Sequence, residues 1–464
     1  MQKARVKRVG ALLVGLSLVA AACGSDDDET QTTESAETET SEAVEDAETE
    51  TSEAMEEAET ETSEAMDEAD DAEAGTGGST EGQLVLGGIL PETGNLAFLG
   101  PPEIAGVNLA VQDVNAAGGV LGQDLVYLPG DSGDNGEVAN ATVDRLLAED
   151  VDGFIGAASS GVSLTVIDKI TQAGKVHFSP ANTSPTFTEY DDNGLYFRTA
   201  PSDVVQGAAL ADILIGDGNA SATFLVLNDA YGTGLLEFTK GPFEDQGGVV
   251  DAENIYDPKA ENFDDVVSVA VEADSDAIII IGFDETSKIL TGLIEAGVGP
   301  DAKNVYGVDG NMSNALAEAF DDPTVLAGMR GTLPGVDVEG AMTTFRDQLL
   351  TVDPELIDFS YSAESYDAVV LMALAATVAG SDDGVAIGAE IVELTRGGEK
   401  CVTFAECLAL LEADPAADID YDGVSGPLEF RDEGEPTQAS ILTLEFDADG
   451  VLQTVGAVAG SVEI

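Results

Sequence analysis

Apolar residues in the body of the chain alternate between short runs of strand length and longer segments with helical spacing. Leu84–Leu90 has the length of a strand, and the apolar positions of Ile104–Asn115 recur at helical spacing until two glycines follow. Ile278–Ile281 is a run of isoleucines, as expected for a strand covered on both faces. Repeated strand–helix units predict an α/β fold with doubly wound parallel sheets.

The alternation of strand and helix segments is interrupted near Arg198–Asp203 and restarts with a helical pattern at Val205–Ile215. Two series of strand–helix units in one chain predict two Rossmann-like lobes. After Met329–Pro334 the pattern changes to helices and then to the predicted strands Leu428–Phe430 and Ser440–Phe446. This tail must therefore return to the earlier lobes.

The first 23 residues have the pattern of an export signal. A basic start precedes the apolar run Val9–Ala22, whose 14 positions are too few to span a bilayer. The end of this segment, Leu18–Cys23, resembles a bacterial lipobox, which implies cleavage before Cys23 and acylation of its thiol. Residues 1–22 are thus expected to be a lipoprotein signal peptide. The alternative is ordinary secretion with an unmodified Cys23.

Residues 23–82 form an acidic, low-complexity segment without lysine or arginine. Three 11-residue repeats occupy 36–46, 47–57 and 58–68. Their composition favours a solvated, flexible tether. The alternative is a helix, because the apolar positions of the repeats share one stripe with an 11-residue period. About 382 residues follow this segment, which suggests two domains.

The charge of the chain excludes several classes of partner. Its formal net charge is −73, from 17 basic and 90 acidic residues. Nucleic-acid binding depends on lysine and arginine side chains that neutralise phosphates, so no nucleic-acid partner is expected. The same balance argues against binding of anionic lipid by the folded body, and it favours solubility in strong electrolyte.

Residue types that carry catalysis are sparse. The one histidine, His177, lies within a predicted strand, a setting typical of a buried structural side chain. No nucleophile elbow occurs, and the glycine-rich and calcium-loop patterns are incomplete. Cys401 and Cys407 have no histidine partner and, in an exported chain, predict a disulfide. We therefore expect no enzymatic activity, no cofactor and no metal site.

Two hydroxyl-rich segments follow predicted strands. Ser159–Gly161 lies between the short strand Phe154–Ile155 and a helix, and Ser179–Thr183 follows the next strand. In a parallel sheet both segments lie at the carboxyl edge, where ligands bind. A helix N-terminus with hydroxyl groups can bind a carboxylate, and the alternative is a plain N-cap serine.

Seven short stretches, each weakly specific, occur in a diagnostic order: Gly94–Gly100, Asp113–Gly119, Ser179–Asn182, Phe197–Asp203 with Gln206–Gly207, Asn228–Gly232, Tyr306–Gly310 and Gly423–Pro427. In their order and spacing the chain, from Leu84 to about Phe446, resembles bacterial solute-binding lipoproteins of the branched-chain amino-acid type, the leucine-binding protein family. The resemblance implies a type I periplasmic-binding fold, in which two Rossmann-like α/β lobes are joined by a hinge of three crossovers.

The crossovers are expected near Ala200–Asp203, Thr332–Pro334 and Arg431–Pro436. Lobe 1 would then comprise residues 83–202 and 334–432, and lobe 2 would comprise residues 203–333 and 433–464. The family resemblance places a ligand between the lobes, which close around it.

By the same resemblance, the first lobe binds the α-carboxylate of an amino acid. The expected donors are the Ser160 hydroxyl, the backbone N–H groups of Ala181 and Thr183, and the Thr183 hydroxyl. Two apolar residues are expected to contact the ligand side chain: either Phe98 or Leu99, and Phe283. Gly161 departs from the expected pattern, since another hydroxyl is typical there.

The second lobe is expected to face the α-ammonium with Asp203, Tyr231 and Asp309. Charge-assisted bonds from carboxylates and a phenol suit this end of a zwitterion. Each residue also has a simpler interpretation. Asp203 could only cap a helix, Tyr231 could only pack after its strand, and Asp309 could be an ordinary loop acid.

The resemblance implies a monomeric protein, lipid-anchored at the extracytoplasmic face of the cell membrane. It would capture a branched-chain or similar neutral amino acid for the membrane subunits of an ABC permease. The alternative is a binder or sensor of amides, urea or another small polar solute, because fold does not fix function. Asp203 and Asp309 distinguish these possibilities, since an amide has no ammonium group to neutralise them.

Overall fold

The computed structural model describes residues 82–336 and 341–461. The predicted signal peptide, Cys23 and nearly all of the predicted tether lie outside the described residues. Gly82 is the first described residue, and its N–H donates to Asp382 Oδ2 at 2.6 Å. The chain thus enters the body at the start of its first strand.

The first sheet has five strands, all parallel, in the order β2-β1-β3-β4-β5. The strands are β1 (Val85–Ile89), β2 (Val126–Leu128), β3 (Gly153–Gly156), β4 (Val176–Ser179) and β5 (Tyr196–Arg198). The helices between them are α1 (Gly100–Ala116), α2 (Gly136–Ala148) and α3 (Ser160–Gln172). The predicted βα alternation is confirmed here, and the parallel strands direct their carboxyl ends to one edge.

The second sheet has seven strands in the order β15-β14-β10-β9-β8-β6-β7. The strands are β6 (Ser221–Leu227), β7 (Val249–Tyr256), β8 (Ala277–Ile281), β9 (Asn304–Gly307), β10 (Arg330–Pro334), β14 (Gln438–Phe446) and β15 (Leu452–Ser461). Its helices are α4 (Asp203–Gly216), α5 (Ala230–Asp245), α6 (Asp264–Ala273), α7 (Thr286–Glu295) and α8 (Asn314–Glu318). Every residue of β8 is buried, as its isoleucine run predicts.

One part of the second sheet is not parallel. β14 pairs antiparallel with β10, in register from Arg330↔Glu445 to Pro334↔Ile441, and β15 pairs antiparallel with β14. A short hairpin joins β14 to β15, and such a connection allows only antiparallel pairing. The sheet is therefore a parallel βα sheet extended by an antiparallel C-terminal hairpin.

The segment between β10 and β14 packs mainly against the first sheet and its helices. It contains α9 (Ala341–Val352), α10 (Ser362–Ala379), α11 (Gly384–Ile391), β11 (Glu399–Cys401), α12 (Phe404–Ala413), β12 (Ile419–Gly423) and β13 (Gly426–Pro427). The predicted strand Leu428–Phe430 is wrong, because pairing with β12 ends at Pro427 and Phe430 makes only an isolated bridge to Pro436. A run of three residues with two apolar side chains does not distinguish a strand from a buried loop.

Helix α10 is the core helix of this half of the molecule. It is long and apolar enough to cross a membrane, but 83% of it is buried within the body, chiefly against α1. The predicted disulfide is present between Cys401 and Cys407, whose Cα atoms lie 5.3 Å apart. It closes the short loop between β11 and α12.

The chain crosses between the two sheets at three places: residues 199–202, residues 335–336 and residues 428–437. A buried ion pair joins the end of β5, directly before the first crossover, to the third crossover; its members are Arg198 and Glu435, whose side chains are 0% and 2% exposed. The crossovers lie beside the carboxyl edge of the first sheet, so the two sheets face each other across a cleft.

Candidate functional site

A small cavity of about 20 Å³ lies between the carboxyl edges of the two sheets. This is about the space of one water molecule, and it is far below the roughly 300–1,000 Å³ of pockets that hold drug-sized molecules. Residues from both sheets and from the start of α10 line it: Leu96, Leu99, Ala158, Ser159, Ser160, Ala181, Tyr231, Phe283, Asp309, Gly310 and Tyr361.

Asp309 is the centre of a hydrogen-bond network on the second-sheet side of the cavity. Its Oδ1 accepts from the Tyr231 hydroxyl and from Gln206 Nε2, each at 2.7 Å, and its Oδ2 accepts from the Tyr361 hydroxyl at 2.7 Å. Burial raises the pKa of Asp309, and the bonds from Tyr231, Tyr361 and Gln206 oppose that rise. The donors are those that hold a carboxylate ionised and fixed in direction.

Asp203 is the first residue of α4 and is fully buried. Neither of its carboxylate oxygens has a hydrogen-bond partner, and the nearby Thr183 hydroxyl has none either. Burial raises the pKa of Asp203 well above its usual range, Asp309 adds to the rise by repulsion, and Thr183 opposes it. A buried carboxylate without a hydrogen-bond partner is costly, and the positive charge of Arg198 offsets only part of the rise in its pKa. Asp203 and Thr183 do not line the cavity.

The first-sheet side of the cavity is rich in donors. Ser159 is the N-cap of α3, where its side chain accepts from Val162 N, and Ser160 lies in the first turn of that helix. The Ser160 oxygen accepts from Ser184 N at 3.3 Å, which leaves its own hydroxyl hydrogen available. The positive end of the α3 dipole therefore faces the cavity together with a hydroxyl donor.

The backbone of the 179–184 loop is held from behind. Ser179 Oγ accepts from Ala181 N at 3.3 Å and from Asn182 N at 2.9 Å. The predicted Ala181 N–H donor is thus already engaged, through a long bond, while its side chain lines the cavity. Asp203 N donates to Thr183 O at 2.8 Å, which joins this loop to the start of α4.

The apolar wall of the cavity comes from Leu96, Leu99 and Phe283. The Phe283 ring stacks on Tyr231, with ring centroids 5.6 Å apart and planes 12° apart. Phe98 does not line the cavity; it is half-buried in an adjoining groove with Phe283. Of the two expected alternatives, the structure places Leu99 at the cavity, because the turn before α1 directs Phe98 outward.

The departure at Gly161 has a steric explanation. Asp229 caps α5 through Gly232 N, and a Cβ at position 161 would lie 3.0 Å from its other carboxylate oxygen. The absence of a side chain at 161 lets α3 and the start of α5 approach each other across the cleft. Ser184 Oγ also donates to Ala230 O at 2.9 Å across the same boundary.

Sequence reasoning missed three polar contributors: Gln206, Thr332 and Tyr361. In the sequence, Gln206 stands out only as part of a short motif. In the structure, its side-chain amide donates hydrogen bonds to Asp309 Oδ1 and to Thr332 Oγ1. Tyr361 precedes α10 with a φ of 58°, a left-handed conformation that is uncommon for a residue with a Cβ. No local sequence pattern identifies Tyr361 as a cavity residue, because the path of the chain after the second crossover brings it there.

Among known proteins, the model of the periplasmic binding protein family matches residues 83–450. The chain belongs to this family. The binding protein is 26% identical over 377 residues to the chemotactic signal transduction system substrate-binding protein BasB of Halobacterium salinarum, covering 79% of this chain and 87% of that one. It is 30% identical over 319 residues to Leu/Ile/Val-binding protein homolog 1 of Brucella abortus, covering 66% and 81%.

Solved structures show the same fold. The binding protein matches the leucine-binding protein LivK of Thermotoga maritima with a TM-score of 0.68 and 20% identity, over 81% of this chain and 98% of that one. It matches an R. palustris solute-binding protein in complex with benzoate with a TM-score of 0.67 and 18% identity, over 82% and 98%. The predicted fold class, two α/β lobes of the type I periplasmic-binding kind, is confirmed.

Proposed function

We propose that this binding protein captures a neutral amino acid between its two lobes and delivers it to an ABC permease. The observation that carries the proposal is the polarity of the cavity. One side presents a helix N-terminus and a hydroxyl donor, and the opposite side presents the buried carboxylate of Asp309 and two phenols. A second buried carboxylate, Asp203, does not line the cavity but is close enough to repel Asp309. A zwitterion with its carboxylate toward α3 and its ammonium toward Asp309 complements both sides.

At the carboxylate end, Ser160 would donate its hydroxyl hydrogen, and the N–H groups of the α3 first turn would add their partial positive charge. Thr183, which does not line the cavity, has a buried hydroxyl without a hydrogen-bond partner and would offer it to the carboxylate. Ala181 would contribute through the wall of the cavity and through its N–H once the long bond to Ser179 is exchanged. Such donors are oriented before the ligand arrives, which reduces the entropy cost of binding.

At the ammonium end, Asp309 would accept a charge-assisted bond from the ligand, with Tyr231 and Tyr361 fixing its orientation. The same positive charge would relieve the repulsion between Asp309 and Asp203. A ligand ammonium group beside Asp309 would therefore add a positive charge near two buried acids. A neutral amide would leave both acids uncompensated, so the amide or urea alternative fits this side less well.

The apolar wall sets the proposed ligand class within the amino acids. Leu96, Leu99 and the face of Phe283 offer no charged or hydrogen-bonding side chain. Aliphatic side chains of branched-chain size would remove this apolar surface from water. The related Brucella abortus protein is named a Leu/Ile/Val-binding protein homolog, which agrees with this proposal.

Two alternatives have specific support. The similar BasB protein is a chemotactic substrate-binding protein, so the partner of the closed form could be a signal transducer rather than a permease. The R. palustris neighbour binds benzoate, so a carboxylate without an ammonium group is a second ligand class. Asp203 and Asp309 argue against benzoate here, because that ligand would bring no positive charge.

A thermal-shift screen tests the proposed ligand. The exported chain carrying Cys23→Ser, which lacks the acylation site, would be melted with each of the twenty amino acids, urea, short amides, benzoate and small carboxylates. A ligand at 100 times its Kd stabilises by about 2.7 kcal/mol, which a melting curve resolves. A shift with leucine, isoleucine or valine supports the proposal, whereas a shift confined to amides or benzoate refutes it.

The lipid anchor is a separate part of the proposal. Cys23 follows the lipobox-like segment and would carry acyl chains that hold the protein at the extracytoplasmic face of the membrane. Metabolic labelling with a radioactive fatty acid should mark the native chain and leave the Cys23→Ser chain unlabelled. Equal labelling of both chains would remove Cys23 from the proposal.

A further inference from the structure

Arg198 is the most completely buried cation in the described residues, and it donates hydrogen bonds to the backbone of the 179–184 loop. Its Nη1 donates to Ser184 O at 2.8 Å and to Asn182 O at 3.2 Å. Its Nε donates to Glu435 Oε2 at 2.8 Å, and its Nη2 pairs with the same oxygen. The guanidinium thus joins the 179–184 loop to the third crossover.

The bond to Asn182 O fixes the direction of the next N–H group. In a trans peptide the C=O of one residue and the N–H of the next point in opposite directions. Because Asn182 O points toward Arg198, the N–H of Thr183 points away from Arg198. The C=O of Thr183 is held in turn by Asp203 N at 2.8 Å. Both peptide groups that flank Thr183 are therefore clamped.

Glu435 fixes the guanidinium in this position. Its second oxygen, Oε1, accepts from Arg431 Nη2 at 2.6 Å and from Thr188 Oγ1 at 3.0 Å. The backbone of the crossover takes part as well, since Arg198 N donates to Gly434 O at 3.0 Å. A buried carboxylate with several donors holds a fixed direction, and it supplies the countercharge that a buried guanidinium requires.

We propose that Arg198, fixed by Glu435, is the positioning residue for the carboxylate end of the ligand site. It orients the Thr183 peptide so that its N–H and hydroxyl face the ligand carboxylate, and it ties that orientation to the third crossover of the hinge. The inference rests on the proposed function, because it assigns Arg198 to the recognition of a carboxylate. Arg198 itself makes no contact with the cavity.

The test compares two ligands that differ only at the end in question, L-leucine and L-leucinamide. Leucinamide keeps the ammonium and the side chain but has no carboxylate. In Arg198→Lys, which keeps the charge but loses the planar set of donors, the Kd of leucine should rise about tenfold while that of leucinamide stays within twofold. Glu435→Gln should act in the same direction. Asp309→Asn should instead weaken both ligands by a similar factor.

Arg396→Lys is the matched control, because Arg396 pairs with Glu393 and Asp432 at the surface and lies near the same crossover. It should change neither Kd. If Arg198→Lys weakens leucine and leucinamide by the same factor, its role is general stability and the inference is overturned. Glu435→Gln provides the same comparison if Arg198→Lys fails to fold.

A ligand-free measurement separates this inference from the proposed function. Hydrogen–deuterium exchange of the 179–187 segment should become at least tenfold faster in Arg198→Lys and unchanged in Arg396→Lys. If leucine does not bind the wild-type protein, the amino-acid proposal fails, and the exchange result still decides whether Arg198 orients the loop. Unchanged exchange in both Arg198→Lys and Glu435→Gln would overturn the inference.

Discussion

Replacing Asp309 by asparagine should weaken ligand binding and leave the ligand-free protein at least as stable as the wild type. Asparagine keeps the shape of the side chain, and its oxygen can accept from Tyr231 and Gln206 as Oδ1 does now. Its NH2 group can donate to Tyr361 Oη, since a hydroxyl both donates and accepts. The network therefore survives, and only the negative charge is lost.

The magnitude follows from the kind of bond that is lost. A hydrogen bond to a charged group contributes about 1.5–3 kcal/mol, against about 0.5–1.5 kcal/mol for a neutral one. The difference of about 1–2 kcal/mol corresponds to a Kd for leucine that is roughly 5 to 30 times higher. The free protein loses a buried charge that repels Asp203, so its melting temperature should rise or stay constant.

Isothermal titration calorimetry with leucine measures the Kd, and a thermal melt without ligand measures the melting temperature. Asp301→Asn is the control, because Asp301 is exposed and its replacement removes one negative charge away from the cavity. An unchanged Kd in Asp309→Asn would show that Asp309 does not face an ammonium group. A lower melting temperature together with a weaker Kd would mean that the substitution acts through the fold, which would refute the reasoning.

Three further predictions address pH, the disulfide and closure. Burial raises the pKa of Glu364 from its ordinary 4.5 to about 8, so stability is lost as the pH rises from about 4.5 to about 8; the melting temperature should fall over this range and level off above it, and the fall should be less steep in Glu364→Gln than in the exposed control Glu393→Gln. Joint replacement of Cys401 and Cys407 by serine opens a loop of sequence separation 6 and should lower the unfolding free energy by about 2–2.5 kcal/mol in urea titrations; no change would contradict this. Gly161→Ala should raise the Kd of leucine roughly fivefold or more, because the new Cβ meets Asp229 when the lobes close; an unchanged titration would exclude that contact from the closed, liganded state.

Much of the fold followed from periodicity in the sequence. The isoleucine run of β8 and the apolar spacing of α1 predicted these elements because burial on both faces, or on one stripe, leaves a local pattern. Strand β15 was not predicted, because its residues alternate weakly between exposed and half-buried positions at the edge of a sheet. Its existence depends on the pairing with β14, which no local pattern encodes.

The site was predictable where it lies at the ends of strands. Ser160 lies four residues after the end of β3 and Asp309 two residues after the end of β9, and the order of strands in a parallel sheet brings such ends together. Tyr361 and Gln206 were missed because each reaches the cavity through a tertiary arrangement. Phe98 and Leu99 could not be separated by sequence, since one peptide turn decides which of two neighbours faces inward.

The antiparallel pairing of β10 with β14 has a consequence for how the protein is made. Arg330 in β10 pairs with Glu445 in β14, 115 residues later in the chain. The second sheet therefore cannot complete its hydrogen bonds until Glu445 has been synthesised. The core of the first sheet is also completed late, because the helix that covers it, α10, lies far along the sequence. Contacts between distant residues slow folding. If the predicted signal peptide exports the chain, this arrangement leaves time for translocation, because neither lobe can close early around a partial core.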